Sequence, residues 1–379
     1  MNTGDKFFFD LITEAGLSGK KKLQTFVDSS EEFYNKLDIS GFPFSPDQQI
    51  DFGFEQISKE YGMNAMATWT DVDSPGTPVS LDSHILQTGK IPRQKKYAAF
   101  SETDYRKMAQ RALVTGSRIE LAQDALLETN KKLIDSHTNS NTYMRHQMVS
   151  TGGFELTADN NAGGVSGMVF SASIPEGNKI EKTGTARWFT TGTTEGTTSD
   201  PVKDLLELAE KAKGTSYHFE VDALTLKKTL SHSKVLQRIG YSVSPAMSDD
   251  TIAQNIGANL LDSQRKERLE SIIGFPIVAI DSESRVEKFN KKENKIERVD
   301  IRSFNEDSWA LIPNGNIGET LSVAPLRVGG AENFASYYGG RLLLTYEFIP
   351  RKKEQIIESE MSTLVVPTTP NYMYMLKIK

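Results

Sequence analysis

The first stretch of the chain carries no apolar rhythm. Residues 1 to about 60 are acid-rich and cut by Gly16, Gly19, Gly41, Pro43 and Pro46, with short helical patches such as 30–36. Such a segment cannot bury a face of its own. It predicts an extended arm lying along its own body or along a neighbouring subunit. From 66 to 100 the pattern turns strand-like, with runs at 66–72, 78–86 and 91–100 broken by Asp73-Ser74-Pro75-Gly76 and Thr88-Gly89-Lys90. These runs hold few large apolar residues, so they predict a projecting ribbon rather than a core sheet. An isolated ribbon is marginal in water and calls for a partner surface.

Ser101 and Asp104 give an N-terminal helix signal, after which Tyr105, Met108, Ala112, Ile119, Ala122, Leu126 and Leu133 recur close to the 3.6-residue period. This predicts a long amphipathic helix, bent near Gly116. The polar run 135–141 is expected to divide it from a shorter helix, 142–150, stopped by Gly152-Gly153. Residues 153–199 are rich in Gly, Thr and Asn, with strand-like pieces at 167–174 and 186–190. Asp200-Pro201 opens a helix through Ala212 and Asp222 opens another through Leu230. Helical stretches at 249–261 and 263–273 lead to an apolar strand at 276–280. A charged hairpin (286–289 and 296–301) and strands at 309–312, 321–324, 341–348 and 373–378 complete the chain. The class is α+β, with one long helix and much antiparallel sheet.

Composition narrows the function classes. With 379 residues, 37% hydrophobic and 25% charged, the chain is globular and long enough for two to three domains. The 44 basic residues against 50 acidic ones leave a formal charge of −6, so no global basic field draws the chain onto nucleic acid. The absence of cysteine excludes disulfides, thiolate nucleophiles and thiolate metal sites. Acidic residues interrupt the early Phe7-Phe8-Phe9 run and no later apolar run approaches the ~20 residues of a membrane span, which predicts a cytoplasmic chain with no membrane partner.

Catalytic patterns are missing. Gly164-Val165-Ser166-Gly167 lacks the spacing of a nucleophile elbow, and Gly19-Lys20-Lys21 has Glu14 and Lys21 where a phosphate loop needs Gly and Ser or Thr. His84, His137, His146, His218 and His232 include no pair at i, i+4, and Asp71 with Asp73 lacks the rest of a calcium loop. The expectation is no catalytic, cofactor or metal site. Lys20-Lys21-Lys22, Lys291-Lys292 and Arg351-Lys352-Lys353 read as solvated patches. Arg93, Lys95 and Lys96 on the ribbon suit docking on an acidic neighbour.

One stretch carries a resemblance. Tyr143-Met144-Arg145-His146-Gln147-Met148-Val149-Ser150-Thr151-Gly152-Gly153 is followed by Gly163-Gly164, the strand Gly167-Met168-Val169-Phe170, Thr183-Gly184, Trp188 and Asp200-Pro201-Val202-Lys203-Asp204-Leu205. The order resembles the lambda-type, phage capsid E-like major capsid proteins of tailed bacteriophages. Gly89-Lys90-Ile91-Pro92 through Phe100, Ser231-His232-Ser233-Lys234-Val235-Leu236, Ile312-Pro313, and Leu364-Val365-Val366-Pro367 with Pro370-Asn371 agree with it, over about 60–379.

The resemblance implies the HK97-like fold: an N-terminal arm (1–65), an extended β-hairpin loop (66–100), a peripheral domain with a long spine helix (101–195, returning at 336–379) and an axial domain (196–335). It implies a chain that partners itself in hexamers and pentamers of an icosahedral shell, enclosing double-stranded DNA without sequence-specific binding. Scaffolding, portal and decoration proteins are the further partners implied, with assembly in the host cytoplasm and a final place in the virion. Gly76, Pro78, Lys90, Arg93, Lys95 and Lys96 are the implied subunit contacts, with Lys90 or Lys95 the candidates for a Lys–Asn cross-link. An encapsulin-like nanocompartment shell, a phage tail or baseplate protein, and a soluble enzyme built on scattered acids and histidines are the alternatives.

Overall fold

Caps and turn residues set most element ends in the computed structural model, which describes residues 39–59, 84–104, 106–107, 110, 118–161, 164, 166–212, 216–246, 248–290, 295–325, 334–349 and 354–379. In chain order, β1 (Gly53–Lys59), β2 (His84–Lys90) and β3 (Arg93–Phe100) precede helix α1 (Arg118–Thr151). Short strands β4 (Gly153–Glu155), β5 (Val169–Ser171), β6 (Lys179–Glu181), β7 (Phe189–Thr191) and β8 (Thr194–Glu195) follow. Then come α2 (Pro201–Ala209), β9 (Tyr217–Asp222), α3 (Ala223–Leu230), α4 (Ser233–Val243), α5 (Asp250–Ala258) and α6 (Asp262–Ile273). Strands β10 (Ile277–Ile280), β11 (Glu283–Asn290), β12 (Lys295–Arg302), β13 (Ser308–Pro313) and β14 (Gly318–Val323) lead to the C-terminal set. That set is β15 (Phe334–Tyr337), β16 (Leu342–Ile349), β17 (Glu354–Pro367) and β18 (Tyr374–Lys377).

The chain divides into two compact units, one of residues 1–54, 89–142 and 320–365, the other of 55–88, 143–319 and 366–379. The first is built on a sheet in the order β14-β17-β16-β15, with β3 also pairing β17. β3 runs antiparallel to β17 from Arg93 opposite Ser362 to Phe100 opposite Gln355. Leu126, Leu133 and Ile134 of α1 pack with Leu342, Leu344, Tyr346, Ile357 and Met361. The C-terminal part of the expected arm lies along its own body: Ser45 N–H donates to Thr320 O (3.0 Å), Gln49 N–H donates to Ser322 O (2.8 Å), and Phe42 is buried. The 91–100 run, expected in a projecting ribbon, contributes β3 to this sheet. The runs at 66–72 and 78–83 lie outside the described residues, as do Gly76, Pro78 and the bend expected at Gly116.

The expected break in the long helix is absent. α1 is continuous from Arg118 to Thr151, and the run 135–141 is helical within it. His137 and Asn141 are buried there, because strand side chains meet their polar groups and allow polar residues on the inner face. The helix stops as expected at Gly152, whose φ of +73° suits glycine and whose N–H still donates to Met148 O.

The second unit holds a mixed sheet in the order β10-β9-β13-β18-β6. β10 runs parallel to β9, and β13 antiparallel to both β9 and β18. Trp188 packs against Trp309 at 5.9 Å between ring centroids, and Phe219 meets Trp309 edge-on at 5.8 Å. Around them Leu205, Leu208, Leu230, Val235, Ile239 and Leu269 supply the helical side of the core. Asp200 caps α2 by accepting from Lys203 N–H, with Pro201 at the first helical position, as the sequence predicts.

α4 and α5 cross at two glycines. A methyl group on Gly240 would stand 1.9 Å from Ala253 O, and one on Gly257 would stand 2.2 Å from Leu236 O. Alanine is the better helix former by about 1 kcal/mol. Even so, Gly240→Ala is expected to cost about 2–3 kcal/mol net, because backbone must move to admit the methyl. The denaturant midpoint measures it, and an unchanged midpoint would refute the close crossing.

Candidate assembly surface

The sequence-predicted contact residues within the described segments fall on β2 and β3. Lys90 ends β2 and is exposed. Arg93 grips Glu360 of β17 with both arms, Nε to Oε1 at 2.7 Å and Nη2 to Oε2 at 2.5 Å. Lys95 Nζ reaches Glu358 at 2.5 Å and Glu360 at 3.2 Å. The Glu360 hydrogen bond raises the Arg93 pKa and the Glu358 hydrogen bond raises that of Lys95. Lys96 offers its carbonyl to the Ser359 hydroxyl at 3.0 Å. Arg93 and Lys95 therefore meet their carboxylates on β17 of the same chain. Nothing local in the sequence pairs residues 263 and 267 positions apart, although the alternation Glu358-Ser359-Glu360 marks a polar strand face.

The opposite face of β17 makes a polar seam with α1. Gln94 Nε2 donates to Asn141 Oδ1 (3.1 Å) and Thr363 Oγ1 (3.2 Å), and the Thr363 hydroxyl donates to Asn141 Oδ1 (2.7 Å). His137 places Nδ1 at 3.2 Å from Gln94 Oε1 and Nε2 at 2.9 Å from Ser359 Oγ. Gln94 Oε1 can only accept, so the proton of neutral His137 sits on Nδ1, and the single Ser359 hydroxyl proton serves either His137 Nε2 or the Lys96 carbonyl. Burial, with the Lys96 charge adding to it, lowers the His137 pKa to about 4. Asn130 donates to Tyr346 OH at 3.0 Å on the same helix face, and burial raises the Tyr346 phenol.

In the second unit Arg145 and Glu220 form a buried bidentate pair, at 2.6 and 2.5 Å. Burial works to raise the Glu220 carboxyl, but the His218 hydrogen bond and the Arg145 charge overcome it and hold it at about 2. Next to the pair, His146 is lowered to about 4 by burial and by the Arg145 charge. Asp204 of α2 accepts from Trp188 Nε1 (2.7 Å) and pairs with Lys182 (2.5 Å). The order of Trp188 and the Asp-Pro helix, read in the sequence as a pattern, is thus a direct contact.

A hydrolase reading would need a serine with a basic histidine, and Ser199 with His232 comes nearest, at 2.9 Å between Oγ and Nε2. His232 Nδ1 accepts the Lys234 N–H at the start of α4, which puts the ring proton on Nε2, facing Ser199. The Ser199 hydroxyl in turn donates to Gly196 O at 2.7 Å. His232 has no lone pair for the serine proton, so the pair caps a helix and does not activate a nucleophile. Among the described residues no three His, Asp or Glu side chains gather as a metal site, and no helix is long and apolar enough to cross a membrane.

The model of the phage major capsid protein E family matches residues 22–378 of the chain. No curated protein matches it. The fold is similar to a chain of the satellite phage P4 procapsid including size determination (Sid) protein, at 10% identity and a TM-score of 0.50, covering 100% of this chain and 98% of that one. A phage-related protein of Bordetella bronchiseptica RB50 aligns at 12% identity and a TM-score of 0.46, over 95% and 97% of the two chains. The mature capsid of bacteriophage PhiM1 aligns at 8% and 0.43, over 89% and 85%. With its α+β fold and a family match that runs through both compact units, the chain belongs to the phage major capsid protein E family and is a shell-forming structural subunit.

Proposed function

We propose that the subunit assembles into hexamers and pentamers of a closed icosahedral shell that encloses the double-stranded DNA of a tailed phage, and that it does no catalysis. The family match over residues 22–378 carries this reading. The domain plan proposed for it is the arm at 1–65, the extended loop at 66–100, the peripheral domain at 101–195 with 336–379, and the axial domain at 196–335. A net charge of −6 suits a container whose wall must not grip phosphate, since tight nucleic-acid binding is driven by counterion release onto basic surfaces.

Gly76, Pro78, Lys90, Arg93, Lys95 and Lys96 remain the proposed contacts on the loop. Arg93 and Lys95 reach a neighbour through the outer side of an already neutralised ladder, so their part is shape more than net charge. Scaffolding and portal proteins are the proposed partners during assembly in the host cytoplasm, with decoration proteins on the finished virion. Negative-stain electron microscopy with light scattering, on the protein expressed alone and with its neighbouring genes, tests the reading. Closed shells or capsomers are expected. A monodisperse monomer under both conditions would refute it.

A further inference from the structure

The charged hairpin is a ribbon whose strands pair only with each other among the described residues. β11 and β12 run antiparallel from Glu283 opposite Arg302 to Asn290 opposite Lys295, eight residues each, a length of about 26 Å. At the base Arg302 Nη1 holds Asp281 at 2.9 Å and lies 3.5 Å from Asp222. One ribbon face carries the cross-strand pairs Arg285 with Asp300 (2.7 Å) and Arg298 with Glu287 (3.4 Å). The register puts Val286, Val299 and Ile301 on the other face, and Val299 is 55% exposed. A two-stranded ribbon of this length is marginal in water without a surface to lie on.

Charge and apolar exposure point to that surface. Residues 283–302 hold seven basic and five acidic side chains, in a chain that is acidic as a whole. At the corner where α4 turns into α5, residues 243–252 hold Asp249 and Asp250 and no basic residue. Both aspartates are exposed, between Val243 at 41% and Ile252 at 51% exposure. Asp249 caps α5 through two backbone N–H groups and Asp250 accepts from Tyr241 OH, so their carboxylates are held in place. The corner is thus an acidic, apolar counterpart to the basic, apolar ribbon.

We propose that the β11–β12 ribbon of one subunit docks on the α4–α5 corner of a second copy of this chain, with Val286 and Val299 against Val243 and Ile252 and the net positive charge of the ribbon drawn to the acidic corner. The contact rests on the shell-subunit reading. It joins two different patches, so each copy gives a ribbon and receives one and the contact repeats around a ring. Its charged part weakens with salt while its apolar part does not.

Val299→Glu and Ile252→Lys alter exposed side chains, so each variant should stay folded by circular dichroism. Each alone should raise the subunit concentration needed for assembly about tenfold. The chain carrying both should assemble within about threefold of the unsubstituted protein, since the new Lys and Glu face each other across the joint. A Val299→Glu protein that assembles at the original concentration overturns the ribbon contact, and two impaired single variants without recovery in the double overturn this pairing of patches. The cysteine-free chain gives a second measurement that does not depend on those variants. Oxidised shells of Val299→Cys with Ile252→Cys should run as a ladder of covalent multimers, because a disulfide forms only where the two positions meet. Monomer bands alone would overturn the contact while leaving the shell reading intact, whereas an unsubstituted protein that never assembles overturns both.

Discussion

Replacing Arg145 by Met is expected to remove about 3–5 kcal/mol of subunit stability at neutral pH, the range for stranding one member of a buried ion pair. Glu220 loses both short contacts and keeps only His218, at 3.4 Å. With Arg145 present the carboxyl titrates near 2 in the folded chain, against 4.5 ordinarily. The pair's pH-linked stability is therefore complete above about pH 4.5 and is lost as the pH falls towards 2. Without Arg145 burial prevails and raises the carboxyl, so the variant's deficit is largest at pH 7 and shrinks in acid as Glu220 takes up a proton. Arg145→Met with Glu220→Leu should recover most of the loss, because two apolar side chains of similar size leave no charge uncompensated. Denaturant unfolding of the subunit at pH 7 and 4.5 measures all three. An Arg145→Met chain within 1 kcal/mol of the original would show that the pair is unimportant.

The same helix shows how far sequence reading reached. Its buried stripe includes Leu126, Asn130, Leu133, Ile134, His137, Asn141, Met144, Arg145 and Met148, a spacing of three and four without interruption. Four of these nine are polar, so a search for apolar periodicity finds a break where the backbone has none. The hydrogen-bond and ion-pair partners that permit them, Gln94, Ser359, Thr363, Tyr346 and Glu220, lie on remote strands and are invisible to local pattern. Elements with strong local signals were legible: the Asp200-Pro201 and Asp222 caps, the glycine stop at 152, and the charged hairpin. α4 escaped because His232, an uncommon cap residue, begins it. β9 does carry a local signal, the strict apolar/polar alternation Tyr217-His218-Phe219-Glu220-Val221-Asp222, but its polar residues are nearly all buried and find their partners, such as Arg145 for Glu220, far away in the chain. Of the proposed loop contacts, Arg93, Lys95 and Lys96 were recognisable as a basic group, but the carboxylates that answer Arg93 and Lys95 come from a strand that only the folded sheet brings beside them.

Two buried histidines make the subunit acid-sensitive in a window where carboxylates contribute little. His137 and His146 titrate near 4 in the folded chain, both displaced from 6.5 chiefly by burial. Below about pH 6.5 the unfolded chain binds a proton at each site and the folded chain does not, so stability falls with pH down to about 4 and is fully present above 6.5. Each histidine should contribute a loss of about 1.4 kcal/mol per pH unit across that window, and about 3 kcal/mol in total. His232 is displaced downward too, burial outweighing Glu195 and Asp200, and so adds in the same direction. The folded site opposes a second proton on His137 because the ring is buried and the Lys96 charge stands nearby. His146 lies edge-on to Phe304 with Nδ1 buried and unpartnered, beside the Arg145 cation. The unfolding free energy should therefore fall between pH 7 and 5 with a slope that steepens from a fraction of a proton to about two protons near pH 5. His137→Gln and His146→Gln should each reduce that slope by about one proton, whatever they do to stability at pH 7, which separates titration from packing. A midpoint that stays level from pH 7 to 5 would mean that both rings charge freely in the folded subunit, and that the polar seam along α1 is open to water.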